Sequence, residues 1–508
     1  MTFHSILFEG IEDGLIVEVP GFFPDLNLDQ LVDAITAGKE EYDLKPFFYT
    51  PLKTVDAVKY RHEILRDLED KTVLEHVRFF AHRMHSMREH LAQADKLYYP
   101  RQKQAWFLDS VEIYCDATAA LARGLSLAKP ESRGLLAFLK YLTDYAGSTR
   151  FTLLLEETKQ LKADLSGIRY CILLKGNTIE VRKYESENDY GADVEQTFEK
   201  FRQGTANDYR VNFSSRPDMN HVEARVLDLV VKLHPEVFAR LDSYCADRDN
   251  YIDETVAAFD RHVQFYLAYL EYIAPYRALG LSFCYPEVTN TDKEVHNRDG
   301  FDLALAHRLV AANSPVVCND FHLKEKERVI IVSGPNQGGK TTFARVFGQL
   351  HYLAAIGCPV PGTEARLLLF DSLFTHFEKQ EDMNNLRGRL QDDLIRIHSI
   401  LNEATPGSII IMNEIFSSTT VKDAVVLGRR IMEAIMDLDL LCVCVTFLDE
   451  LAALGEKTVS MVSTVLAEDP AVRTYKIVRK PADGRAYAIS IAEKYRLVYN
   501  SLRERLQS

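Results

Sequence analysis

Between Val329 and Thr342 the chain reads VIIVSGPNQGGKTT: an apolar, β-branched run, a glycine-rich turn, then a Lys-Thr-Thr triplet that opens a helix. This stretch constrains the fold strongly, because a strand feeding a helix through a tight turn belongs in a sheet with helices packed on its faces. Gly334, four residues, Gly339, Lys340 and Thr341 match the spacing in which glycines let backbone N–H groups form a nest around phosphates. In that reading Pro335, Asn336, Gln337, Gly338 and Thr342 complete a nucleotide-binding segment. Lys340 reaches the β- and γ-phosphates, Thr341 offers its hydroxyl to Mg²⁺, and the helix N-terminus favours the anion. The bland alternative is an ordinary glycine turn.

Strand-like runs recur downstream at 367–370, 408–412, 440–446, 463–467 and 474–478, separated by helical patterns such as Val425–Met436. Alternation of this kind predicts an α/β fold, a mostly parallel sheet covered on both faces. The run Ile409-Ile410-Ile411-Met412 ends in Asn413-Glu414, where a phosphate-loop ATPase would place two acids. Glu414 can act as the base. Asn413 supplies only a neutral oxygen, so Mg²⁺ would lean on the phosphates, Thr341 and the pair Glu381 and Asp382. Arg387, Gly388 and Arg389 precede an amphipathic run and read as an anion site at a helix N-terminus or as a solvated basic turn.

The region from Val55 to about Leu165 is periodic at three and four residues, as in WFLDSVEIYCDATAALARGLSLA, and reads as long helices. A β-rich interruption at 172–184, centred on Lys175-Gly176-Asn177, predicts a hairpin on a helical scaffold. Residues 1–50, broken by Pro20, Gly21, Pro24 and Pro46, read as a strand-and-turn lead-in or an extended arm. The expected division is a lead-in at 1–50, a helical core and lever domain at 51–295, and an ATPase domain at 296–508. With 508 residues, 47% of them hydrophobic, the chain has room for several cores. Its apolar runs are strand-sized and its start lacks a secretory pattern, which points to a cytoplasmic protein without membrane spans. A net charge of −14 gives no global attraction to nucleic acid. The eight cysteines are scattered, and His82, His85 and His90 have no companion acids at ligand spacing, so neither disulfides nor a metal cluster is expected.

GPNQGGKTT at Gly334–Thr342, MNEI at Met412–Ile415 and the Thr419-Thr420 loop resemble the ATPase domain of the MutS DNA mismatch-repair family. The resemblance covers roughly 315–497 and, more faintly, Thr54–Phe79. It implies ATP and Mg²⁺ as cofactors. Asn336, Gly339, Lys340 and Thr341 would hold phosphates and metal, Glu414 would activate water, and Val317 with the residues up to Phe321 would lie near adenine. It also implies a homodimer acting on DNA, with the Gly388 loop reaching the partner's γ-phosphate. Asn413, Phe447 and Gly388 depart from the family's aspartate, histidine and serine, and no mismatch-reading N-terminal domain is evident. Two other readings remain open at this point: a scaffold that binds ATP and barely hydrolyses it, and a small-molecule phosphotransferase, for which no acceptor pocket or lid is visible.

Overall fold

Asp70 accepts hydrogen bonds from the N–H groups of Thr72 and Val73, at 2.9 and 3.2 Å, and so starts the helix Lys71–Lys96. Pro100 opens the next helix, Pro100–Ala128, and a side chain on Gly124 would meet the His76 ring at 2.5 Å, so these two long helices need glycine where they touch. Ser148 caps Thr149–Ser166, and a capping box between Asn220 and Glu223 starts His221–Leu233. The computed structural model describes residues 3–10, 14–186, 219–378, 388–466, 468–469 and 472–482. These helices belong to the first of two compact units, Met1–Phe3, Glu69–Glu131 and Leu135–Asp260. Its core is aromatic: Phe138 stacks on Phe259 with centroids 3.7 Å apart, and Tyr251 donates to Ser110 Oγ at 3.1 Å. The hairpin forms from Tyr170–Lys175 and Thr178–Lys183, with Gly176 at φ 60° in its two-residue turn.

The second unit, His4–Leu68, Ser132–Gly134 and Arg261–Ser508, is built on a six-stranded sheet. We label its strands β1 (Val329–Ser333), β2 (Leu373–Phe377), β3 (Ile409–Asn413), β4 (Leu441–Val445), β5 (Thr458–Val465) and β6 (Arg473–Arg479). The order is β2-β3-β4-β1-β5-β6, and every neighbouring pair is parallel except β5 and β6. Three helices follow strands: α1 (Lys340–Ala355), α2 (Arg389–Glu403) and α3 (Val421–Asp437). Val329, Ile331, Ile410, Met412, Cys442 and Cys444 pack with Ile397 of α2 and Ala424, Met432 and Ile435 of α3. The opposite face receives α1, where a side chain on Gly348 would strike Ile411 at 2.6 Å. The mostly parallel sheet with both faces covered is therefore present. A smaller four-stranded sheet contains Glu364–Leu368, the run expected near 367–370, together with Asn319–Leu323.

Two expectations change. Among the described residues, the first fifty contain no strand but short helices at Phe23–Leu26, Leu28–Thr36 and Lys45–Tyr49. Pro24 and Pro46 stand in first turns, where a missing N–H costs nothing, rather than marking strand ends. This segment packs on α1: Gln349 donates to Leu26 O and Tyr352 to Phe48 O, both at 2.9 Å. The fully buried Arg61 ties Leu7 O to Ile356 O. β5 also begins five residues before the expected 463, because Thr458–Val462 alternates against β1 in parallel register. No helix among the described residues is long and apolar enough to cross a membrane.

Candidate functional site

All five residues of β1 are buried between β4 and β5, so the chain must leave the sheet at Gly334 and turn sharply before α1. Gly339 makes that entry in the left-handed region, at φ 90°. Gly338 is required for space: a side chain there would lie 2.2 Å from Ser463 Oγ. Ser463, fully buried on β5, donates that hydroxyl to Gly338 O at 2.7 Å and pins the turn to the sheet.

Lys340, 5% exposed, curls back into the turn. Its Nζ donates to Gly334 O at 3.0 Å, Pro335 O at 3.1 Å and Asn336 Oδ1 at 3.2 Å. These acceptors are neutral. Burial therefore pulls its pKa down, with the Glu414 charge opposing and that of Arg473 adding to the effect. Thr341, next on the same first turn, donates its hydroxyl to Asn413 Oδ1 at 2.9 Å. Asn413 ends β3, and Glu414 leaves the strand at φ 54° with its N–H bonded to Val445 O at 2.9 Å. The buried Ile415 and Phe416 anchor this exit. Lys340, Thr341, Asn413 and Glu414 thus converge at the carboxyl ends of parallel strands, where open α/β sheets place their ligands. The oxygens of Thr341 and Asn413 are a donor set that fits a hard cation such as Mg²⁺, although both are neutral.

Asn336 and Gln337 are exposed on the turn, Pro335 is buried and Thr342 half-buried. Val317 is half-buried in the run leading to Asn319–Leu323. Gly388 precedes α2 without a side-chain cap, and Arg389 pairs with Glu378, which also accepts from Ser417 Oγ at 3.3 Å. Arg387, Glu381 and Asp382 lie outside the described residues. Phe447, two residues past β4, is half exposed.

Two residues near the turn escaped the sequence reading, and Asn319 entered it only as part of the segment from Val317 to Phe321. Ser463 is one. Tyr475 occupies a bulge of β6 at φ 59°, lies 3.6 Å from where a Gly339 side chain would begin, and is 51% exposed. Asn319 holds the bulge in place, donating to Tyr475 O at 3.1 Å and accepting from Ile477 N–H at 2.7 Å. The pairing of residues about 150 positions apart leaves no local signal.

The family model for MutS domain V matches residues 330–503, from β1 through the turn and both strand ends just described. Over this stretch the chain is similar to the MutS family. It is 33% identical to the DNA mismatch repair protein MutS of Halalkalibacterium halodurans over 36% of its length, and 29% identical to that of Chlorobaculum tepidum over 54%. It is also 30% identical to Endonuclease MutS2 of Gemmatimonas aurantiaca over 39%. The matches span 22%, 31% and 25% of those relatives, so the chain corresponds to a minor part of each.

Proposed function

We propose that the Gly334–Thr342 segment is a phosphate loop and that the chain binds and hydrolyses ATP. The observation that carries this reading is Lys340, a buried cation whose acceptors in the turn are all neutral. A polyanion entering the turn would restore the stabilisation that burial removes and would draw the ammonium onto its β,γ-oxygens. Thr341 and Asn413 would hold Mg²⁺, joined by Glu381 and Asp382; bound there, the ion would neutralise phosphate charge. Glu414 would take the proton of a water attacking the γ-phosphorus, as the bond to the β,γ-bridging oxygen breaks to leave ADP and phosphate. Val317 and the exposed ring of Tyr475 would flank the adenine.

The family relation supports a role in DNA repair or recombination. In this reading the division at 51–295 and 296–508 separates a helical core and lever from the ATPase, and nucleotide state moves the levers of a homodimer on DNA. Arg387, Gly388 and Arg389 would then act on the partner's nucleotide. Asn413 favours a second reading, a scaffold that holds ATP and turns it over slowly. Calorimetric ATP titration followed by phosphate release with single-stranded, duplex and branched DNA tests both. DNA-stimulated release supports the first, binding without release supports the second, and absence of binding sinks them together.

A further inference from the structure

We propose that Asn413 makes ATP binding by this chain largely independent of a metal ion, because its amide presents N–H donors to a phosphate oxygen where a carboxylate would present negative charge. The inference rests on the phosphate-loop reading above and concerns affinity, not hydrolysis.

Asn413 is held in one orientation. Its Oδ1 accepts the Thr341 hydroxyl at 2.9 Å, which turns the amide nitrogen to the other side of the group, and among the described residues that nitrogen has no hydrogen-bond partner. The side chain is half-buried at the end of β3, level with the first turn of α1, where Lys340 and Thr341 border the space a β,γ-phosphate pair would fill. An aspartate of the same shape could accept the same Thr341 proton. It would then stand as an anion beside a polyanion, and a cation would be needed between the two before the nucleotide could bind well. At about 4 Å that repulsion lowers affinity about fivefold at the dielectric constant of water, and much more at a half-buried position. Asparagine removes the repulsion and, while no metal ion occupies the site, replaces it with a hydrogen bond. Lys340, which donates to Gly334 O and Asn336 Oδ1 within the turn, would supply a cation to the same phosphates.

The test is calorimetric titration of the full chain with ATP, once with Mg²⁺ and once with excess EDTA, for wild type, Asn413→Asp, Asn413→Ala and Lys340→Ala, with melting curves to verify folding. The wild type should bind about equally in the two conditions, within roughly threefold. Asn413→Asp should lose about tenfold or more in EDTA while keeping or gaining affinity with Mg²⁺. Asn413→Ala, which lacks the amide donor, should lose about fivefold in EDTA. The inference is overturned if EDTA weakens wild-type binding tenfold, if Asn413→Asp shows the wild-type ratio, or if Asn413→Ala binds metal-free ATP as tightly as wild type. Wild-type binding that needs Mg²⁺ and is lost in Lys340→Ala would leave the phosphate loop standing and remove this inference alone. Failure to bind in either condition would remove both.

Discussion

The two ends of the large sheet treat charge in opposite ways. At the amino ends of β1, β4 and β5, Asp439 meets three cations: Lys293 at 3.1 Å, Arg328 at 3.0 Å and Lys457 at 3.1 Å. At the carboxyl ends of β1 and β3, Lys340 meets two carbonyls and an amide, and Thr341 meets another amide. One end is electrostatically closed within the chain and the other is left short of negative charge, although Glu414 stands near. A fold gains nothing from burying a lysine among neutral acceptors unless something else supplies the anion. The difference predicts that changes at the carboxyl end alter nucleotide chemistry with little effect on stability, and that changes at the amino end do the reverse.

The largest effect should come from Glu414→Gln, which keeps the size and hydrogen-bonding capacity of the side chain and removes the base. Turnover should fall about a hundredfold or more, with ATP affinity and melting temperature close to wild type. If the variant loses stability as well, Glu414 is holding the left-handed exit from β3 and the contrast between the two ends weakens. Lys340→Ala should lower ATP affinity by roughly ten- to a hundredfold, the range for losing a charge-assisted contact. Its melting temperature should hold or rise, since a desolvated cation is removed; a large drop would show that the lysine serves the turn rather than a ligand. Ser463→Ala leaves Gly338 O without its donor and should weaken ATP binding a few-fold by loosening the turn. Restoration in Ser463→Thr, with a hydroxyl but a larger side chain, would separate the hydrogen bond from the packing.

Much of the carboxyl end was legible because its parts are contiguous or follow a rule. Gly334 to Thr341 is a single stretch, and the rule that ligands gather at strand carboxyl ends joins it to Asn413 and Glu414, about seventy positions later. The mostly parallel sheet followed from apolar runs bounded by helical periodicity. Ser463 and Tyr475 were not legible, because a serine in an apolar strand and a tyrosine in a bulge gain their roles only when β5 and β6 are laid beside the turn. The first fifty residues were misread for a local reason: proline starts helices as readily as it ends strands. The Asp439 cluster was invisible too, since its members come from four separate places in the chain, each a charge at the foot of a strand or in a loop.

That cluster yields the smallest prediction. Partial burial acts to raise the pKa of Asp439, but hydrogen bonds from Lys293 and Lys457 and the charge of Arg328 outweigh it and bring the group down to about 2, below the usual 3.8. A carboxyl whose folded pKa is depressed contributes stability that is present above the unfolded value and is lost as pH falls through the folded one. The window is therefore about pH 4 down to about pH 2. Asp439 is 40% exposed, so solvent and salt screen much of the interaction, and Asp439→Asn should lower the melting temperature by only about 2 °C near neutral pH. The gap between wild type and variant should narrow below pH 4, shrink in high salt, and leave ATP affinity untouched throughout. Equal melting at pH 7 would mean that the three cations are balanced by other groups. A loss of ATP affinity in this variant would do more damage, because it would show that the two ends of the sheet communicate and that charge closure at one end helps to set the deficit at the other.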